Sequence, residues 1–201
     1  MSTMVKVLIG LAVLVVIVVL IIGWVFGIRN QMVTKEESVN SSWAQVQNQY
    51  QRRFDLIPNL VETVKGYATQ EKDVLLGVTE ARAKAGGVMN VSPEVLNDPQ
   101  AFARFQEAQA GLGSALQRLL VVVERYPELK SNQNFLTLQA QLEGTENRIS
   151  VERKRFNEEV QAYNSYVRSF PPALLAGMFG FQTKSYFQAV PTAEQAPQVQ
   201  F

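Results

Sequence analysis

The chain has 201 residues, with 19 Lys and Arg against 18 Asp and Glu, a formal charge of +1. That near-balance leaves no bulk field to attract nucleic acid or an acidic substrate. Neither cysteine nor histidine is present, which removes disulfides, thiol chemistry, Cys/His zinc sites and every triad built on an imidazole base.

Val7–Ile28 is a run of 22 residues without a charged or strongly polar side chain, bounded by Lys6 and Arg29. As a helix rising about 1.5 Å per residue it covers roughly 33 Å, enough to cross the hydrocarbon core of a bilayer. A signal peptide has a shorter apolar region and then a small-residue cleavage site. This run ends in Gly23-Trp24-Val25-Phe26-Gly27-Ile28-Arg29 and offers no such site. The sequence therefore predicts an uncleaved single-pass anchor over residues 1–28. The α-amine and Lys6 on one flank nearly balance Arg29 and Lys35 on the other, so the positive-inside rule leaves the side of the membrane open. Gly23 and Gly27 stand at G-x-x-x-G spacing and are candidate positions for packing between spanning helices. Glycine is also simply common in such helices, and Trp24 suits the headgroup level at that end.

From Val39 the apolar residues recur at steps of three and four: Val39, Trp43, Val46, Tyr50, Phe54, Ile57, Val61, Val64, Ala68, then Leu75 and Val78 beyond the polar Glu71. This is a helix seam of the kind used in antiparallel bundles. It predicts a helix from Glu36 to Ala85, about 75 Å long if continuous, ending at Gly86-Gly87. Pro58 lacks the N–H that would bond the carbonyl of Phe54, so a kink is expected there. Residues 86–99 read as a loop, and Asp98-Pro99 as the N-cap and first position of a second helix. That helix carries Phe102, Phe105, Leu112, Leu116, Leu119, Val123 and Tyr126. Gly111 and Gly113 look like the start of a dinucleotide loop, but no strand precedes them, and close helix packing is the better reading. After Pro127, Ser131 is placed to cap a third helix that runs through Phe135, Leu142, Ile149, Phe156, Val160, Tyr163 and Val167 to Phe170 before Pro171-Pro172. The aromatic stretch that follows is too short to span a bilayer. It predicts a cap folded back on the bundle, with Phe179, Phe181, Tyr186 and Phe187 as candidate membrane or partner contacts. Residues 189–201, rich in Gln, Pro and Ala, read as a disordered tail.

The most suggestive polar cluster is Arg52, Arg53, Asp55, Pro58, Asn59, Glu62 and Tyr67. One reading is an ion-pair network that fixes the register of antiparallel helices, with Glu152, Glu158 or Glu159 as partners. The other is a polar groove that takes a partner's carboxylate, a group that arginine recognises well. Asp55 and Glu62 lie two helical turns apart, about 10 Å, outside the spacing of a retaining glycosidase pair. Di-iron bundles need Glu-x-x-His motifs, which a chain without histidine cannot provide.

Three blocks of this sequence resemble the LemA family: RNQMVTKEESVNSSWAQVQNQYQRRFDLIPNLVETVKGYA, YPELKSNQNFLTLQAQLEGTENRISVERKRFNEEVQAYNSYVRSFP, and the FGF and SYF segments. They cover nearly all of residues 29–187 in order. The resemblance implies a bacterial, membrane-anchored protein with very long antiparallel helices and no established enzymatic function. One relative is associated with building a bacterial membrane organelle. The expectation is then an all-α chain: one N-terminal transmembrane helix (1–28), an antiparallel bundle of long helices with an aromatic cap (29–188), and the tail. The expected role is a non-enzymatic scaffold or adaptor in the inner membrane of a bacterium, without cofactor, metal or nucleic acid, binding protein partners or copies of itself. Lipid contact with membrane remodelling, or regulation of a membrane protease or transporter, are the alternatives.

Overall fold

The computed structural model describes residues 3–89 and 92–188; the expected tail, 189–201, lies outside the described residues. Among the described residues all regular structure is helical: α1 (Thr3–Lys65), α2 (Lys72–Gly87), a 3-10 turn (Pro93–Asn97), α3 (Pro99–Val123), α4 (Pro127–Lys130), α5 (Gln133–Arg168) and α6 (Pro172–Phe179).

The first helix differs from the expectation at both ends. It has 63 residues and joins the apolar run to the bundle without a break. It then stops at Lys65 and does not run on to Ala85. The Val64 carbonyl accepts from both Tyr67 and Ala68 main-chain N–H groups, at 3.1 and 2.8 Å, which closes the last turn and starts a reversal through residues 66–71. Gly66 and the polar residues after it give the helix little reason to continue. The chain resumes as α2 and runs back beside α1, so Gln47 meets the Met89 carbonyl at 3.4 Å and Arg82 meets Phe54.

Helix α1 also passes through Pro58. The carbonyl that loses its partner there is that of Phe54, and Arg82 Nε of α2 donates to it at 3.2 Å. The Arg82 guanidinium lies 3.7 Å from the centre of the Phe54 ring, and the α-carbon of Gly86 sits so close that a Cβ would come within 3.0 Å of the same ring. A proline, an arginine and a glycine thus form one joint between α1 and α2.

The remaining elements start where their caps dictate. The Asp98 carboxylate accepts from the Gln100 and Ala101 N–H groups at 2.9 and 3.1 Å. Asn132, rather than Ser131, caps α5, accepting from Asn134 and Phe135 at 2.9 and 3.1 Å. α3 climbs beside α2, and α5 descends along α1 toward the apolar span. The third helix ends at Arg168, so Phe170 leaves the seam and is 82% exposed.

The buried seam of α1 is Val39, Trp43, Val46, Tyr50, Arg53, Ile57, Leu60 and Val64. Its steps alternate strictly between four and three, and this places Arg53 and Leu60 inward where Phe54 and Val61 were expected. The core falls into two clusters: one nearer the apolar span, holding Trp43, Tyr50, Phe102, Phe105, Phe156, Tyr163 and Phe187, and a distal one of mainly aliphatic residues.

Candidate functional site

The two clusters meet at a buried polar layer. Arg53 follows Tyr50 of the near cluster and precedes Ile57 of the distal one; Gln109 lies between Phe105 and Leu112, and Glu146 between Leu142 and Ile149. Arg53 is 3% exposed. Its Nη1 donates to Glu146 Oε1 at 3.0 Å, and its Nη2 donates to the side-chain and main-chain oxygens of Gln109. The guanidinium carbon lies 5.0 Å from the Tyr50 ring centre. One side chain of α1 therefore ties α3 and α5 together at a single level. A one-residue slip of any of these helices would carry the guanidinium and its two partners out of reach of one another.

The layer also has a polar surplus. Arg53 Nε and Gln109 Nε2 are buried without a hydrogen-bond partner. Both residues line a cleft of about 460 Å³ between α1, α3 and α5, together with Tyr50, Glu146 and Arg153. Burial raises the Tyr50 phenol above its ordinary value, opposed by the charges of Arg153 and Arg53. Two buried donors, one of them on the Arg53 cation, with Arg153 as a second positive charge, suit a carbonyl or carboxylate oxygen.

The rest of the predicted cluster is dispersed. Arg52 lies on the exposed side of α1, at a shallow depression it shares with Arg148 and Gln133. Asp55 accepts from Gln51 on its own helix at 2.7 Å. The Asn59 carbonyl accepts from Thr63. Glu62 pairs with Lys65 at 3.4 Å in solvent. Tyr67, beyond the end of α1, accepts from Asn132 at 2.9 Å. Pro58 belongs to the joint with Arg82. The partner of Arg53 is Glu146, not Glu152, Glu158 or Glu159, and Glu152 pairs with Arg155 on its own helix.

The second polar assembly holds the segment after α6. Gly180 turns the chain with φ +77, a left-handed conformation that favours glycine. Residues 181–188 then climb back along α5. The Asn164 side chain donates to the Lys184 carbonyl and accepts its N–H, at 2.9 and 2.8 Å. Asn157 does the same for Phe187, at 3.0 and 2.9 Å. Seven helical residues rise about 10.5 Å, and three residues of extended chain rise about 10 Å. The two asparagines are therefore spaced to read every third peptide unit of a strap. Tyr163 donates to the Gln182 carbonyl at 2.9 Å, and burial raises its phenol well above the ordinary value. The buried Lys184 reaches Glu36 of α1 at 2.7 Å.

The strap separates the four aromatic candidates. Phe187 is 6% exposed and packs against Phe102, Phe156 and Trp43, with centroids 5.0, 5.3 and 6.1 Å away. Phe181 packs partly buried against the same cluster. Tyr186 remains largely exposed, and Phe179 sits on α6 beneath Arg29 at 5.8 Å. Gly23 and Gly27 lie on an open face of α1. Among the described residues no three His, Cys, Asp or Glu side chains gather to hold a metal ion.

Hydrophobic pattern alone does not disclose Gln109, Glu146, Asn157 or Asn164, because it omits polar residues by construction. A signal exists for one of them: the apolar row of α3 jumps seven residues from Phe105 to Leu112, and position 109 fills the missing step.

An antiparallel helical bundle whose first helix carries a bilayer-length apolar run, with polar groups engaged between helices and with the strap, defines a class of membrane-associated helical proteins. The chain belongs to the LemA family, whose model matches residues 42–201. It is 27% identical over 180 residues to magnetosome protein MamQ of Magnetospirillum gryphiswaldense and to MamQ 2 of Paramagnetospirillum magneticum, covering 82% of this chain and 66% of each relative. The chain thus spans just under two thirds of their length. Protein LemA of Metamycoplasma hominis is 18% identical over 163 residues, covering 81% of this chain and 70% of that protein.

Proposed function

We propose that this protein is a non-enzymatic scaffold or adaptor, held by a single pass in the inner membrane of a bacterium, whose bundle binds protein partners or further copies of itself. The observation that supports this reading is the continuity of α1. The bilayer-length run and one wall of the bundle are the same helix, with no linker to absorb a change of direction. Beyond Ile28 that helix rises about 55 Å to Lys65, carrying a side surface rigidly joined to the span. A partner docking on such a surface meets groups already ordered, which lowers the entropic cost of association. The cleft beside Arg53 adds a point of attachment: a partner's carbonyl or carboxylate supplies the acceptor that Arg53 Nε and Gln109 Nε2 lack. The relatives named magnetosome proteins bear names that denote no reaction.

Native extraction of the full chain in mild detergent, followed by mass measurement and crosslinking in cells, tests the reading. The expected result is a mass above that of one chain, or a discrete crosslinked partner. A strictly monomeric protein that crosslinks to nothing would overturn it.

A further inference from the structure

Residues 170–181, FPPALLAGMFGF, contain no charged or hydrogen-bonding side chain. A stretch that is apolar all round belongs either inside a protein or in lipid. The structure encloses only one side of it: Pro172 and Ala176 are buried, and Ala176 joins the core cluster with Ile28 and Met32 of α1. Leu174 and Met178, one helical turn apart on α6, are 66% and 78% exposed, and Phe170, just before the helix, is 82% exposed. A single exposed leucine is ordinary. Three large apolar side chains so close in the chain, with nothing over them, mark a contact surface.

The path of the chain says what covers it. α5 runs down toward the apolar span, α6 crosses at the bottom, and the strap climbs back, so α6 is the turning point at the span's end of the bundle. Its level is fixed by Ile28, the last residue of the apolar run, and by Arg29, whose guanidinium lies 5.8 Å from the Phe179 ring. The buried face of α6 looks into the bundle, and Leu174 and Met178 face away from it. Arg168 ends α5 two residues before Phe170, and Arg168 and Arg29 are cations of the kind that pair with lipid phosphates. Trp24 is exposed one helical turn below Ile28, as expected of an indole just inside the same interface.

We propose that α6 is an interfacial helix whose Leu174 and Met178, together with Phe170 just before it, enter the boundary between headgroups and acyl chains of the bilayer that α1 crosses. This goes beyond the scaffold reading, because it gives the bundle a second hold on the membrane. One spanning helix leaves the bundle free to tilt and to rotate about its axis. A second contact, off that axis, sets both.

The absence of cysteine makes the test direct. Full-length protein carrying Leu174→Cys or Met178→Cys, each labelled with a small fluorophore, is reconstituted into vesicles of phosphatidylethanolamine and phosphatidylglycerol. Val15→Cys in the span and Val121→Cys at the distal end of α3 serve as references; both native residues are exposed. A face buried about 5–10 Å into the interface predicts that labels at 174 and 178 lose most of their emission to lipids brominated near the top of the acyl chain. The same labels should resist aqueous iodide, as at 15 and unlike at 121. Labels at 174 and 178 as open to iodide as at 121 would overturn the proposal. Labels shielded from both quenchers would also overturn it, by showing that protein, such as a second copy of the chain, covers these positions.

Discussion

The two halves of the bundle solve the same packing problem differently. In the distal half α1, α2, α3 and α5 lie together, and the space between them is filled by Ile57, Leu60, Val64, Leu112, Leu116, Leu119, Val123 and Leu142, with Phe135 as the buried aromatic. Four helices at regular spacing leave slots the size of a leucine. In the half nearer the membrane α2 has ended and α3 has only begun, so fewer helices surround a wider space. There Trp43, Tyr50, Phe102, Phe105 and Phe156, with Phe187 of the strap, fill it with rings 5.0–6.3 Å apart, and Tyr163 is buried in the same cluster. An aromatic core thus marks the place where the bundle runs short of helices. The polar layer at Arg53 stands where one solution gives way to the other.

The comparison is most easily broken at Trp43, whose ring touches four others. Trp43→Ala should cost about 3–5 kcal/mol, the usual range for deleting a large buried aromatic, measured by denaturant unfolding of the full chain in detergent. Leu119→Ala in the distal half should cost less, toward the low end of the ~2–5 kcal/mol seen for buried leucines. Equal or reversed values would show that the aromatic half is not the better anchored. Asn164→Ala comes next. It removes both hydrogen bonds to Lys184, and leaving such groups unmet costs about 1–3 kcal/mol. The loss should be local: amide hydrogen exchange should speed up along 181–188 while the distal half of α3 stays protected.

The layer between the halves makes a sharper test. Arg53→Met removes the donor from Gln109 but leaves Glu146, whose side chain is 42% exposed and can hydrate. The expected cost is about 1–3 kcal/mol, that of stranded acceptors rather than of a stranded buried charge. Adding Gln109→Leu should recover most of it, because a well-packed apolar pair commonly matches or exceeds a buried polar one in stability. If the double variant is as unstable as the single one, the polar contacts of the layer hold the halves together in a way that apolar packing cannot replace.

Much of this architecture is legible in the chain, and the failures have physical reasons. The apolar span, the Asp98 cap and the three- and four-residue spacing follow from local rules about length, hydrogen bonding and period. The end of α1 at Lys65 does not, because apolar spacing at Val64, Ala68, Leu75 and Val78 continues across a reversal as it would along one helix. Arg53 escapes for a related reason. Patterning assigns a seam to whichever neighbour is apolar, and so prefers Phe54. Only the joint with Arg82 and Gly86 explains why that ring turns aside. The strap is the least legible part, since its hold consists of main-chain groups meeting asparagines 20 to 30 residues away.

The Pro58 joint allows a closed cycle. Arg82→Ala strips the Phe54 carbonyl of its donor and should cost about 1–2 kcal/mol, in the range for a lost hydrogen bond and stacked cation. In a Pro58→Ala background residue 58 regains an N–H that can bond the same carbonyl along the helix. The cost of Arg82→Ala should then fall by about 1 kcal/mol, a coupling that the double-mutant cycle measures directly. A coupling of zero would mean that Arg82 contributes through its contact with the Phe54 ring alone.

The smallest effect is expected at Glu62. It is nine residues from Arg53 on the same helix, and at about 100° per residue nine steps make two and a half turns, which puts it on the opposite face. Its ion pair with Lys65 joins side chains 71% and 61% exposed, where water and salt screen most of the attraction. Glu62→Ala should therefore shift unfolding by no more than about 0.5 kcal/mol. It should also leave any crosslinked partner in place, whereas Arg53→Met should weaken one that uses the cleft. Two charged residues of one helix would then separate by face: Arg53 bound to the other helices of the bundle, and Glu62 to little beyond its own turn.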